Sequence, residues 1–186
     1  MGRSSLISKR SIQTKTTIFT FHPNLENGSR INASLAKAAS TAGFEVRDVY
    51  QLYPDFKIDV AAEQAALEAA DRIVLQFPIY WYQTPALLKQ WFDAVLEYGW
   101  AYGSTGNALR GKEVILAASF GAALDDYQLE GRFHTTIEEV LKPIVTIQYH
   151  TGLQFHEPFI TTGTLNLSDA DLSEQAEKFV EVLSAE

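Results

Sequence analysis

The 186 residues hold 46% hydrophobic and 12% aromatic side chains, enough for the full core of one α/β domain and poorly divided into two. There is no cysteine, no apolar run of the ~18–20 residues that span a bilayer and no apolar stretch near the start, which excludes disulfide scaffolds, thiolate chemistry, helical membrane spans and a secretory leader, and makes the cytoplasm the expected location. The net charge is −8, and residues 1–15 carry four of the bases (Arg3, Lys9, Arg10, Lys15) and no acid, so the acidic remainder excludes phosphate-backbone binding and hence nucleic acid as a partner.

Residues 1–15 are Ser-rich and basic with no periodicity, and read as a flexible arm ahead of one domain over 16–186. Thr16–Phe21 is β-branched and aromatic, a first strand. A turn-rich loop, His22–Gly28, leads into a helix over Ser29–Ala42, which Gly43 stops. Phe44–Leu52 alternates apolar and polar residues and reads as a second strand. Tyr53–Asp59 connects it to an Ala-rich helix over Val60–Ala70. Asp71–Phe77 is continuously apolar after its charged start, as a central parallel strand should be.

The next stretch is anomalous. Phe77-Pro78-Ile79-Tyr80-Trp81-Tyr82 stands where a strand gives way to a loop, and loops are normally polar because they lie in water. An apolar loop here needs a flat apolar partner. A helix over Pro85–Tyr98 follows, with Thr84 as its expected N-cap and Pro85 as its first residue. Trp91 and Phe92 on that helix are candidates for a subunit interface. A Gly-rich connection, Gly99–Gly111, precedes a fourth strand at Glu113–Ser119. A long loop, Phe120–Phe133, leads to a helix over Thr135–Ile147, a fifth strand over Leu153–Ile160 and a closing helix over Ser168–Leu183.

The order βαβαβαβαβα predicts an α/β sandwich of three layers: a five-stranded parallel sheet in the flavodoxin-like order 2-1-3-4-5, with helices on both faces. In that topology ligands bind outside the carboxyl ends of the strands at the switch point. The loops meeting there follow strands 1, 3 and 4. They carry His22 and Ser29 to Asn32, then Ile79 to Tyr82, then Phe120 to Phe133. A helix start attracts phosphate and an aromatic platform suits a flat ring, so the combination fits flavin mononucleotide.

Each part has a plainer account on its own. Ser29 is an ordinary N-cap, His22 a satisfied structural histidine, and Trp81 and Tyr82 a cover for core or dimer surface. Tyr127 alone is a surface aromatic. Other chemistries are missing: there is no G-x-G-x-x-G, H-E-x-x-H or G-x-S-x-G, and the four histidines have no metal spacing. Gly106 to Lys112 matches part of a P-loop, but Glu113 stands in place of the magnesium-binding hydroxyl and the run precedes a strand.

Several runs resemble the NAD(P)H:quinone oxidoreductase-like flavoproteins: His22-Pro23, Tyr50 to Gln64, Phe77 to Asp93 and Tyr98 to Lys112. They are most similar to the small bacterial branch of potassium-efflux ancillary reductases and general-stress NAD(P)H oxidoreductases. The resemblance implies bound FMN or FAD, NAD(P)H as co-substrate and a quinone or similar small-molecule acceptor. It also implies a homodimer and, as an alternative role, an ancillary subunit that docks on a membrane potassium antiporter and so sits peripherally at the inner membrane. Carried over by position, His22 and Ser29, Arg30, Ile31 and Asn32 match the phosphate side. Pro78, Ile79, Tyr80, Trp81 and Tyr82 match the ring platform, and Ser119, Phe120, Gly121, Ala122 and Ala123 match the loop after strand 4. Tyr127 and His134, the latter with a one-residue shift, match residues that stabilise charge on the reduced flavin. In the resembled pattern that loop reads Thr-Thr-Gly-Gly or similar, where this chain has Ser119-Phe120-Gly121-Ala122-Ala123; two alanines and a bulky Phe120 are a departure that bears on how closely backbone approaches the ring and on the width of the substrate mouth.

Overall fold

The structure is a computed structural model that describes residues 14–185. The basic arm therefore lies, apart from its last two residues, outside the described residues. The sheet is parallel throughout and its strands are β1 (Thr16–Thr20), β2 (Glu45–Asp48), β3 (Arg72–Pro78), β4 (Glu113–Ser119), β5 (Gln154–Phe155) and β6 (Phe159–Thr161). Their order is β2-β1-β3-β4-β5, with β6 also pairing β4, so the expected 2-1-3-4-5 order holds. All seven residues of β3 are buried, as its unbroken apolar reading requires.

The helices are α1 (Leu25–Gly28), α2 (Arg30–Thr41), α3 (Val49–Leu52), α4 (Val60–Ala69), α5 (Ala86–Val95), α6 (Ile137–Val145), α7 (Gln148–Thr151) and α8 (Asp169–Ser184). The two-residue alternation of the strands sorts their side chains between two cores. Ile18, Val74, Ile115 and Ala117 face α2 and α8, joined by Leu35, Leu172 and Phe179. Phe19, Ile73, Leu75, Phe77 and Leu116 face α4, α5 and α6, joined by Leu67, Trp91 and Leu141.

Four expectations are corrected. The second strand stops at Asp48, whose carboxylate accepts the Gln51 amide (3.1 Å) and caps α3; an N-capping side chain outcompetes the alternating pattern there. The fifth strand is two short pieces, because Pro158 has no N–H to give the ladder. Thr84 does not cap α5: Pro85 occupies the cap with extended ψ (149°) and no side-chain cap bond, and the helix ends at Val95. Trp91 is no interface residue. It is 2% exposed and donates its indole N–H to Glu63 (2.9 Å).

Candidate active site

The carboxyl ends of β1, β3 and β4 do bring three loops together. Beyond Pro78 the Ile79 amide donates to the Ser119 carbonyl (2.8 Å), which carries the β3–β4 pairing one step outward. Tyr80 and Gln83 then exchange both backbone hydrogen bonds (3.0 Å each). Trp81 and Tyr82 are thus the two central residues of a tight turn, with φ of +50° and +61°. A turn left-handed at both positions normally takes Asn-Gly, and each L-residue forced into it costs roughly 1–2 kcal/mol. Two bulky aromatics held there are an outlier of the kind that clusters at functional sites. Trp81 is 91% exposed, so core packing does not explain it.

Beside this turn lies a cavity of about 660 Å³. Ile79, Trp81 and Tyr82 line it from the loop after β3, and Gly121, Ala122, Ala123, Asp126 and Tyr127 from the loop after β4. Arg132 and Phe133 line it as that loop returns, and Gly163, Leu165 and Asn166 from the segment after β6. Phe120 does not line it: its side chain is fully buried in the core that the sheet shares with α4, α5 and α6, with its ring 5.0 Å from that of Tyr127. The departure at Phe120 therefore leaves the cavity open, and small side chains at Gly121, Ala122 and Ala123 form its wall. A Cβ on Gly121 would meet nothing closer than 3.6 Å, so the space in front of that backbone is free.

Tyr127 is buried among Phe120, Phe133 (5.0 Å) and the cavity. Burial, then Tyr82 and Asp126 nearby, push its pKa above the ordinary phenol value, so it is a protonated donor at neutral pH. His134 is exposed and outside the lining; its Nδ1 lies 3.2 Å from the Leu129 carbonyl and so donates to it. Phe133 takes the place at the cavity that the one-residue shift gave to His134, with its ring 5.6 Å from Tyr82.

At the other end, His22 is buried with Nδ1 accepting the Asn24 amide (3.1 Å). Its proton therefore sits on Nε2, 3.1 Å from the Tyr80 hydroxyl, to which it donates. Burial lowers its pKa, partly offset by the Asn24 contact and by Asp48, so the ring is neutral at pH 7. This bond joins the first loop to the aromatic turn. Ser29 caps α2, its Oγ accepting the Asn32 amide (3.1 Å) and side-chain amide (3.0 Å). Asn32 also donates to Ser119 Oγ (3.0 Å) and its carbonyl accepts from Gln76 (2.8 Å), so buried side chains knit the first loop to the third. Ile31 is core. Arg30 is engaged elsewhere: its guanidinium donates to Asp169 (2.6 Å) and to the Leu167 carbonyl (2.7 Å) of the α8 entry.

The sequence places Asp126, Arg132 and Phe133 in a loop that meets there without marking any of them as a site residue, and it leaves out the segment Gly163 to Asn166. The last had a signal, since it follows the fifth strand and so belongs to the same carboxyl edge. Arg132 had none, because its place depends on how the loop folds back. Among the described residues no cluster of His, Asp and Glu could hold a metal, and no helix is long and apolar enough to cross a membrane.

A doubly wound sheet with an aromatic cavity at its switch point defines a protein of the flavodoxin class. A family model for the flavodoxin-like fold matches residues 14–183, and the chain belongs to that family. It is 44% identical over 172 residues to the uncharacterized NAD(P)H oxidoreductase YrkL of Bacillus subtilis, covering 92% of this chain and 99% of that one. It is 39% identical to the glutathione-regulated potassium-efflux system ancillary protein KefF of Enterobacter sp., covering 85% and 89%. Among solved structures, general stress protein 14 of Treponema denticola in complex with FMN superposes with a TM-score of 0.84 at 39% identity, over 91% and 97% of the two chains. An NADPH-quinone reductase from P. pentosaceus superposes with a TM-score of 0.80 at 26% identity, over 91% and 97%.

Proposed function

We propose that the chain is an FMN-dependent NAD(P)H oxidoreductase of the quinone-reductase type. The observation that carries this reading is the left-handed Trp81–Tyr82 turn beside the cavity, a strained aromatic platform whose Trp81 ring packing within the chain does not use. The relatives named above supply the class of reaction.

The residues fit the cofactor. Trp81, Tyr82 and the Gly121–Ala123 backbone would hold its ring, and Tyr80 the space between ring and phosphate. The start of α2, with His22 beside it, would hold the phosphate, since free amides and the helix dipole there favour an anion. Bound FMN supplies the two-electron chemistry, accepting a hydride from NAD(P)H and passing two electrons to the acceptor. The chain binds, orients and excludes water. The protonated Tyr127 hydroxyl would offer a hydrogen bond to negative charge on the ring, with Phe133 and Tyr82 lining the cavity beside it.

The acceptor is a quinone: a planar, weakly polar ring suits a cavity walled by aromatics and alanines. A cysteine-free chain using NAD(P)H as reductant fits the cytoplasm. A homodimer is the proposed assembly, supported by an apolar groove of about 500 Å³ that starts at Gln83 and Thr84 beside the site and runs between α5 and α6–α7. Docking on a potassium-efflux antiporter is supported by the likeness to KefF, and co-purification from membranes decides it.

The test is direct. Purified protein supplied with FMN is expected to show bound-flavin absorbance and NAD(P)H-dependent reduction of menadione. A protein that binds neither FMN nor FAD, or binds it and leaves NAD(P)H unoxidised, overturns the reading.

A further inference from the structure

Arg132 is a cavity residue to which the proposed function gives no place. It is exposed at the mouth, whereas Tyr127 behind it is buried. Its guanidinium carbon lies 5.3 Å from the centre of the Phe133 ring, a stacking that fixes a cation over an aromatic face. The loop that presents it is built tightly. Tyr127 donates its amide to Leu124 (3.0 Å), Gly131 to Gln128 (2.9 Å) and Phe133 to Asp126 (3.1 Å). A Cβ on Gly131 would stand 2.5 Å from the Asp125 carbonyl oxygen, so the loop folds back this far only because residue 131 is glycine. Arg132 is therefore held in place by the loop.

Its charge is also uncommitted. Arg30, Arg47 and Arg72 each hold a carboxylate, at 2.6, 2.5 and 2.6 Å, whereas Arg110, which is also without one among the described residues, stands away from the cavity. Among the described residues Arg132 has no carboxylate within 4 Å, although Asp126 lines the same cavity and the chain is acidic overall. A preorganised guanidinium at the mouth of an aromatic cavity, more than 4 Å from the Asp126 carboxylate that shares the lining, is a site for an anion that arrives from solvent. It is not the cofactor's own phosphate site, which on the reading above lies at the far end, by His22 and α2.

We infer that Arg132 is a binding residue for the pyrophosphate of the nicotinamide dinucleotide, seating NAD(P)H so that its nicotinamide enters between Trp81 and Phe133. This rests on the proposed function and adds the residue that recognises the reductant. The pyrophosphate is common to NADH and NADPH, so Arg132 serves both alike.

The experiment uses FMN-loaded protein and two probes. ADP-ribose, which carries the pyrophosphate but no nicotinamide and no 2′-phosphate, is titrated calorimetrically. Flavin reduction by NADH and by NADPH is followed in stopped flow, separately from reoxidation by menadione. Arg132→Gln is expected to weaken ADP-ribose about tenfold and to slow reduction by both dinucleotides about equally at low concentration, with reoxidation changed less than twofold. Arg132→Lys is expected to recover part of the loss. Unchanged ADP-ribose affinity in Arg132→Gln overturns the inference, as does a loss confined to NADPH, which would move the contact to the 2′-phosphate, or a loss confined to reoxidation. If the wild-type chain takes up no flavin, it is the proposed function that fails. If it takes up flavin and oxidises NAD(P)H while Arg132→Gln binds ADP-ribose normally, the inference alone fails.

Discussion

Trp81 shows how far a single residue can be at odds with its own backbone. At φ +50° it occupies a region that glycine enters freely and a branched or aromatic residue enters at a cost of roughly 1–2 kcal/mol. Its side chain, 91% exposed, recovers almost none of that by burial. Trp81→Gly is therefore expected to relieve the turn. Part of the gain is returned, because glycine adds ~0.4–1 kcal/mol of freedom to the unfolded chain. The net is a stabilisation of about 0.5–1 kcal/mol, a rise of roughly 1–4 °C in Tm for a domain of this size. The same change removes the largest aromatic face of the platform, and FMN affinity is expected to fall about tenfold, as loss of one stacked aromatic contact would give. Thermal melts of the flavin-free protein and flavin titration, run on one pair of proteins, check both. A variant that melts lower and keeps its flavin would show that Trp81 supports the fold. At this scale the sequence was informative where the chemistry sits in the residue type. The apolar run Ile79 to Tyr82 stood out because loops are polar. The Arg30 guanidinium is committed to Asp169, which lies 139 positions away, so nothing local announces the pairing.

At the scale of elements, α5 matters most, because it follows directly on the aromatic turn and fixes where the turn can sit. Three side chains from other elements hold it. The Tyr50 hydroxyl accepts the Leu87 amide (3.2 Å) at its start, Glu63 accepts Trp91 Nε1 (2.9 Å) at its middle, and Gln64 donates to the Val95 carbonyl (3.0 Å) at its end. Glu63, fully buried on α4, is the hub. Its Oε1 accepts from Arg47 and from the Tyr53 hydroxyl (2.8 Å), while Oε2 takes Trp91. Burial, and then the carboxylate, push Tyr53 up to about 12, which keeps it a donor. Removing the carboxylate strands Arg47 with a buried charge, and breaking a buried pair from one side typically costs about 3–5 kcal/mol. Glu63→Ala is accordingly expected to lose about 3 kcal/mol or more in urea unfolding. Arg47→Met with Glu63→Leu, which removes both charges, is expected to lose much less. Equal losses in the two would mean that the Tyr53 and Trp91 donors, which both variants leave without an acceptor, and not the charge pair, set the stability. None of this was legible in the Ala-rich run Val60–Ala70. Strand alternation announces itself through a two-residue period, but a buried carboxylate looks like any surface glutamate until its three donors arrive from distant elements. The split fifth strand was legible in principle from Pro158.

For the whole molecule, the parallel sheet, its order and the meeting of three loops followed from alternation of strand and helix together with the right-handed crossover. The surface left over did not. α5 and α6 bury one face each against the sheet, yet between them Phe92, Leu96, Ile144 and Ile147 line a groove, and Tyr98 (69%) and Tyr149 (82%) stand exposed nearby. An apolar strip of this kind, opening beside Gln83 and Thr84, is costly in water unless a partner covers it. A second copy, related by a twofold axis, would present the same strip and close both at once. The purified protein is therefore expected to sediment at twice the 20.7 kDa of the chain, with a Tm that rises with protein concentration. Ile147→Asp places a carboxylate among the apolar side chains of the groove, a burial that costs roughly 2 kcal/mol or more and so weakens association about 30-fold or more. Ile147 is half-buried in the single chain, so the variant is expected to fold as a monomer with the same helical content. A wild-type chain that sediments as a monomer at micromolar concentration would leave the groove without this partner. A dimer that Ile147→Asp leaves intact would put the subunit interface on another face of the sheet.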